Sequence, residues 1–156
     1  MTADKDSSTI SCSGLAGLID QVARGVYCLA WAGDLNPAQW AALRYFRKAQ
    51  PTRRTIGAFA EFQGVGQASA SRTIASLMDK GFLRRGTDPM DRRRAVVELT
   101  DKGAHVISDD PLLALVRALE RRPETEREVA ANLLSEVLVE LLDLRRGTQA
   151  TGTDHG

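Results

Sequence analysis

A mainly α chain with one short β-hairpin, an α+β class, is what this sequence predicts, and three observations carry the prediction. Apolar residues recur at helical spacing through most of the 156 residues. The period changes to two around residues 82–99, where two short alternating runs flank a turn-rich, arginine-rich segment. Ala and Leu abound, while aromatic residues make up 5% of the chain. With 43% apolar and 26% charged residues, a chain of this length can bury its own core as a soluble domain.

The elements follow in order from local signals. Leu15, Leu18, Val22, Val26, Leu29 and Ala30 share one face of a first helix over residues 15–31. Asn36-Pro37 supplies an N-cap and a first-turn proline for a second helix, which Pro51 ends near Ala49. Thr55 caps a short third helix with Ile56, Phe59, Ala60 and Phe62 turned inward. Gly64-Val65-Gly66 then makes a turn into a fourth helix over residues 67–80, closed by Gly81. Strands are expected at 82–85 and 95–99, with Ala95, Val97 and Leu99 on one face and Val96 and Glu98 on the other. Thr100 caps a further helix, which Asp110-Pro111 interrupts because proline removes a donor and disfavours helical geometry before it. A last helix starts at Arg122-Pro123 and runs to about Arg146. Residues 1–13 and 147–156 read as disordered tails. The domain between them spans 14–146 and shows no internal repeat.

Charge is unevenly spread. The chain as a whole carries +1, yet between Arg44 and Arg94 stand twelve basic residues against four acidic ones, and the flanks are acidic. That is an electrostatic footprint for a polyanion on one part of the molecule, since a merely solvated face would mix the signs. On the fourth helix, Ala70, Ile74, Leu77 and Met78 cluster on one side. Ser69, Arg72, Thr73 and Ser76 lie nearly opposite and form a face of short hydrogen-bonding groups around one arginine, with no acid. Such a face suits close approach inside a major groove, and Gln67, Ser69 and Ser71 near the helix start suit phosphates. The hairpin tip, Asp91-Arg92-Arg93-Arg94, places three guanidinium groups on a narrow loop fit for the minor groove, with Asp91 able to orient one of them. Arg85 flanks the same hairpin. Helix, turn, helix and arginine-tipped hairpin together read as a winged helix-turn-helix over about 37–100, with double-stranded DNA as partner.

On the last helix Ala130, Leu134, Val137, Leu141 and Leu144 are spaced as an a/d seam, widened by Val129, Leu133, Leu138 and Leu142. Packing within one chain accounts for part of so broad a face, and a two-fold homodimer for the rest. The two cysteines, Cys12 and Cys28, lack zinc spacing and are too few for a disulfide framework, so they read as a tail thiol and a helix-packing thiol. No apolar run reaches the roughly eighteen residues of a membrane span. Residues 1–13 resemble neither a signal nor a transit peptide. A cytoplasmic location and no membrane partner are expected.

With these residues in view, the chain resembles the multiple-antibiotic-resistance regulator (MarR) family of bacterial winged-helix repressors. Residues 36–44 (NPAQWAALR) look like the family's second helix, residues 67–74 (QASASRTI) like its recognition helix, and residues 80–85 (KGFLRR) like the exit into the wing. Residues 88–94 (DPMDRRR) followed by 99–103 (LTDKG) form the most specific signature. The likeness spans about 15–144. It implies base and phosphate contacts from Ser69, Ser71, Arg72 and Thr73, an acid–arginine pair of Asp91 and Arg93, and minor-groove contact by Arg93 or Arg94. It also implies dimerisation through helices at about 14–33 and 101–146, with Leu15 and Leu18 among the contacts. Members of the family often respond to small aromatic or anionic effectors. Here Tyr27, Trp31, Trp40, Arg44, Arg47 and His105 would line such a cleft, for a phenolic acid or a thioester of one. The same aromatics equally fit a core, and the same arginines a face towards DNA or water. Some relatives are thiol sensors, and Cys28, with Arg24 one turn earlier, or Cys12 would serve in that alternative.

The expected function is thus a homodimeric repressor of a pseudo-palindromic operator, released by an effector. The alternatives are a redox-sensing repressor of the same fold and a winged-helix protein-interaction module without DNA binding. An enzyme is disfavoured. His105 and His155 are the two histidines, and there is no phosphate loop, metal-ligand cluster or nucleophile elbow, so neither cofactor nor metal is expected.

Overall fold

In a computed structural model the chain forms α1 (Cys12–Ala30), α2 (Pro37–Lys48), a 3-10 turn (Pro51–Arg53), α3 (Ile56–Gln63) and α4 (Gln67–Asp79). These are followed by β1 (Leu83–Thr87), β2 (Ala95–Leu99), α5 (Asp101–Val106), a second 3-10 turn (Ile107–Asp109), α6 (Leu112–Glu120) and α7 (Glu124–Thr151). The structure describes residues 10–31, 34–88 and 94–151, with side chains as far as Leu144. Two compact units divide the chain, Met1–Leu113 and Ala114–Gly156.

The helix starts are set by the caps read from the sequence. Asn36 and Gln39 form a reciprocal capping box, Asn36 Oδ1 accepting from the Gln39 amide at 2.9 Å and Gln39 Oε1 from the Asn36 amide at 3.0 Å. Thr55 Oγ1 accepts from the Ala58 amide, and Thr100 Oγ1 from the Gly103 amide. Gly64 and Gly81 take positive φ values of 60° and 75°, a region that side chains rarely tolerate, and so end α3 and α4. Two helix limits differ from expectation. Helix α1 begins at Cys12, because Ser11 caps it through the Gly14 amide, and α7 continues past Arg146 to Thr151.

The core of the first unit lies between α2, α3, α4 and the hairpin. Leu43, Phe46, Phe59, Ile74 and Leu77 are its largest fully buried side chains, each contributing about 1.5–3 kcal/mol by leaving water. Phe46 and Phe59 join α2 to α3 with ring centroids 5.7 Å apart, and Tyr45 packs edge-on to Phe46 at 5.1 Å. Phe62, expected inward, is instead 67% exposed. Its ring rests against Tyr45 at 5.0 Å where α3 passes the end of α2, so one edge is covered and the rest stays open.

Antiparallel β1 and β2 pair with Leu83 opposite Leu99 and Thr87 opposite Ala95. On β2 the alternation is imperfect. Val97 enters the core, while Val96, expected on the opposite face with Glu98, is also buried, outside that cluster. The β2 edge is not left open, because the Val97 amide donates to the Arg54 carbonyl at 2.7 Å and ties the hairpin to the segment between α2 and α3. The junction into α5 is equally tight. A methyl on Gly103 would lie 2.1 Å from the Phe82 carbonyl oxygen, so only glycine lets α5 approach the strand.

Apolar faces elsewhere remain uncovered in the single chain. On α1, Leu18, Ile19, Val22, Tyr27 and Leu29 are exposed, as is Trp31 at its C-cap. On α7, Leu134, Val137, Leu141 and Leu144 of the expected seam are exposed, while Ala130 is half-buried. No helix among the described residues is long and apolar enough to cross a membrane.

Candidate nucleic-acid interface

Helix α4 is held from behind before it presents anything in front. Ala70, Ile74 and Leu77 are buried, which fixes its rotation about its own axis. Gln39, itself buried, donates from Nε2 to Ser76 Oγ at 2.9 Å, and its Oε1 also accepts from Lys80 Nζ at 3.3 Å. Lys80 reaches on to the Asp34 carbonyl. A single side chain thereby caps α2, grips the last turn of α4 and meets the lysine that caps its C-terminus. Lys102 Nζ bonds the Lys80 carbonyl at 2.7 Å and sits 4.5 Å over the Phe82 ring, extending the brace to α5.

The outward face that results is Gln67, Ala68, Ser69, Arg72, Ala75 and Asp79, all exposed, so that the face expected to lack an acid carries one at its C-terminal end, a turn and more beyond Arg72. Gln67, Ser69 and Arg72 stand where the sequence put them. Ser71 and Thr73 are half-buried on the flanks, and the Thr73 hydroxyl donates back to the Ser69 carbonyl at 3.2 Å. Ser76 turns towards α2 because Gln39 engages its hydroxyl, which moves it off the outer face. Ala68 and Ala75 were missed. Small apolar residues between polar ones are the signal that would have found them, since a helix that must enter a groove needs a slim surface as well as donors.

On the wing, Arg84 and Arg85 are both exposed, and Arg84 pairs with Glu98 across the hairpin at 2.6 Å. Arg94 does not extend as expected from the sequence. Its guanidinium bonds the Thr52 carbonyl and faces the buried carboxylate of Asp88 at 3.8 Å, so it pins the base of the wing to the α2–α3 segment. Asp91, Arg92 and Arg93 lie outside the described residues. Near the same surface Arg53 pairs with Glu61 at 2.8 Å, and that hydrogen bond and charge raise the guanidinium above its ordinary pKa.

The six residues expected to line an effector cleft stand in different settings. Tyr27 and Trp31 meet at the C-terminal end of α1, ring centroids 6.4 Å apart, both exposed. Trp40 is a core residue whose indole Nε1 has no hydrogen-bond partner among the described residues. Arg44 donates from Nε to Asp110 Oδ2 at 2.7 Å, while Asp110 Oδ1 accepts from the Leu112 amide at the start of α6. Arg47 and His105 are exposed. Both cysteines are exposed, and Arg24 turns its guanidinium to Asp20 one turn back. Among the described residues no cluster of His, Cys, Asp and Glu has metal-binding geometry.

Residues 33–94 match the family model described as MarR family. Among solved structures, the chain is similar to S. aureus MepR in complex with DNA, at 19% identity and a TM-score of 0.65, covering 85% of this chain and 97% of that one. It is similar to CouR from Rhodococcus jostii RHA1 bound to p-coumaroyl-CoA, at 18% identity and a TM-score of 0.65, covering 88% and 95%. It is also similar to S. aureus MepR bound to ethidium bromide, at 21% identity and a TM-score of 0.57, covering 86% and 99%. At these identities the likeness establishes a shared fold across nearly the whole length.

Proposed function

We propose that this winged-helix protein of the MarR family is a homodimeric, DNA-binding transcriptional regulator that occupies a pseudo-palindromic operator and is released by a small effector. The observation that carries the reading is the braced α4. Its apolar side is buried, Gln39 fixes its orientation, and its outer face is slim, centred on Arg72, and free of acids up to Asp79 in its last turn. A helix so held delivers Arg72 and Ser69 to base edges, with Gln67 and Arg85 on phosphates. Residues 91–93 would extend the wing into the minor groove. The activity is binding rather than catalysis.

The uncovered apolar faces of α1 and α7 supply the second half of the reading, because large exposed apolar patches on a soluble chain mark association. Two copies joined there would set two α4 helices about one DNA turn (~34 Å) apart. An effector that favours another spacing with a typical coupling of about 1–3 kcal/mol would weaken operator binding roughly 5–150-fold. The likeness to DNA-bound MepR and to ligand-bound MepR and CouR supports both parts.

The test is fluorescence anisotropy on a labelled duplex across about 50–200 mM salt. Affinity should fall steeply with salt, and Arg85→Ala should reduce the log–log slope by about one. Binding indifferent to salt, or a slope unchanged by that substitution, would overturn the DNA reading.

A further inference from the structure

Residues 99–103 (LTDKG) belong to the most specific signature of the sequence and have no part in the proposed DNA contacts. They hold the exit from α4. Three consecutive backbone carbonyls lie there, at Lys80, Gly81 and Phe82, and each accepts from the start of α5. Lys102 Nζ donates to the Lys80 carbonyl at 2.7 Å, and Thr100 Oγ1 donates to those of Gly81 at 2.7 Å and Phe82 at 3.2 Å. The Lys102 ammonium also lies over the Phe82 ring. On the other side, Lys80 Nζ donates to the Asp34 carbonyl, in the linker between α1 and α2, and to Gln39 Oε1. Ser76, one turn before Lys80, meets the same Gln39. Both lysines are thus turned onto the protein, although their charge and exposed positions would suit phosphates.

We propose that Lys80 and Lys102 are positioning residues for DNA recognition: they clasp the C-terminal end of α4 between the α1–α2 linker and α5, and neither contacts a phosphate. Carbonyls at a helix C-terminus carry partial negative charge, so an ammonium placed against them satisfies acceptors and steadies the helix end. Arg72, Ser76 and Lys80 follow at intervals of four along α4 and its cap, so play at Lys80 is felt at Arg72 about two turns away. Base-edge contacts require placement within about 0.5 Å, whereas non-specific attraction to phosphates does not. Because the Asp34 carbonyl lies in the linker that follows α1, displacement of that linker moves Lys80 and the end of α4 with it. The consequence for DNA rests on the proposed function; the clasp does not.

Hydrogen exchange on the full chain without DNA, read residue by residue by NMR, tests the clasp, and fluorescence anisotropy tests its consequence. Amides 80–82 should exchange about tenfold faster in Lys80→Met and in Lys102→Met, and Lys102→Arg should restore native rates. The DNA probes are a duplex selected from a random pool with the native chain and a scrambled duplex of the same composition. Each methionine variant should bind the selected duplex about tenfold more weakly, bind the scrambled one within about threefold of native, and keep the native salt slope. Equal losses on both duplexes, with a slope lower by about one, would make the lysines phosphate contacts and overturn the proposal. Native exchange rates in both methionine variants would overturn it as well. A native chain that selects no duplex contradicts the DNA reading alone, and exchange in the variants then still decides the clasp.

Discussion

Helices α4 and α7 carry the same kind of sequence pattern, an apolar stripe at helical spacing, and end in opposite situations. The stripe of α4 is buried within its own chain, down to complete enclosure of Leu77. That of α7 is left open, with Leu134, Leu141 and Leu144 exposed along it. The difference teaches that folding of one chain finishes the first helix and leaves the second with an open apolar face, which the proposed dimer would cover. The outer face of α4 carries donors and small residues, chemistry for a polar partner. The open face of α7 carries leucine and valine, chemistry for the apolar contact that the proposed dimer requires.

That comparison breaks most readily at Leu134. Leu134→Glu would put an unpaired carboxylate on each side of a two-fold contact, at a cost of about 3 kcal/mol or more. Sedimentation should show monomers that keep their circular-dichroism spectrum, and a stable dimer would place the interface elsewhere. Leu77→Ala should act on the other side of the contrast, lowering the stability of the winged helix by about 2–5 kcal/mol in a denaturant melt. An effect below ~1 kcal/mol would mean that α4 is less enclosed than described.

Smaller changes sharpen the account of α4. Gln39→Ala strips the Asn36 amide and the Ser76 hydroxyl of their partner, and a loss of about 1–3 kcal/mol is expected in thermal unfolding. Sequence discrimination on DNA should weaken alongside. Arg72→Ala should leave stability within about 0.5 kcal/mol. It should reduce specific binding by about 1–3 kcal/mol while leaving non-specific binding nearly intact. Equal losses on every sequence would recast Arg72 as a phosphate contact.

What was legible in the sequence was local. Asn36-Pro37, Thr55, Gly81 and Thr100 mark helix ends through bonds to residues within a turn, so each could be read from spacing. The face of α4 was half legible. Periodicity found Ser69 and Arg72, but Gln39, 37 positions away, decides that Ser76 turns inward. Arg94 fell for the same reason, since its partner Thr52 lies 42 positions earlier. The aromatic corner of Tyr45 and Phe62 and the Arg44–Asp110 pair are likewise long-range meetings that no local pattern encodes. In α7 the pattern gave the apolar seam, and the structure leaves Leu134, Val137, Leu141 and Leu144 of it exposed; the partner they would meet is the dimer proposed above.

The most direct test of a dimeric reader presenting two braced helices is selection from a random duplex pool at physiological salt, run with the native chain and with Arg72→Ala. A pseudo-palindrome with half-sites about one turn (~10 bp) apart should emerge for the native chain and blur in the variant. Recovery of no motif, or of one asymmetric half-site indifferent to Arg72, would contradict the account.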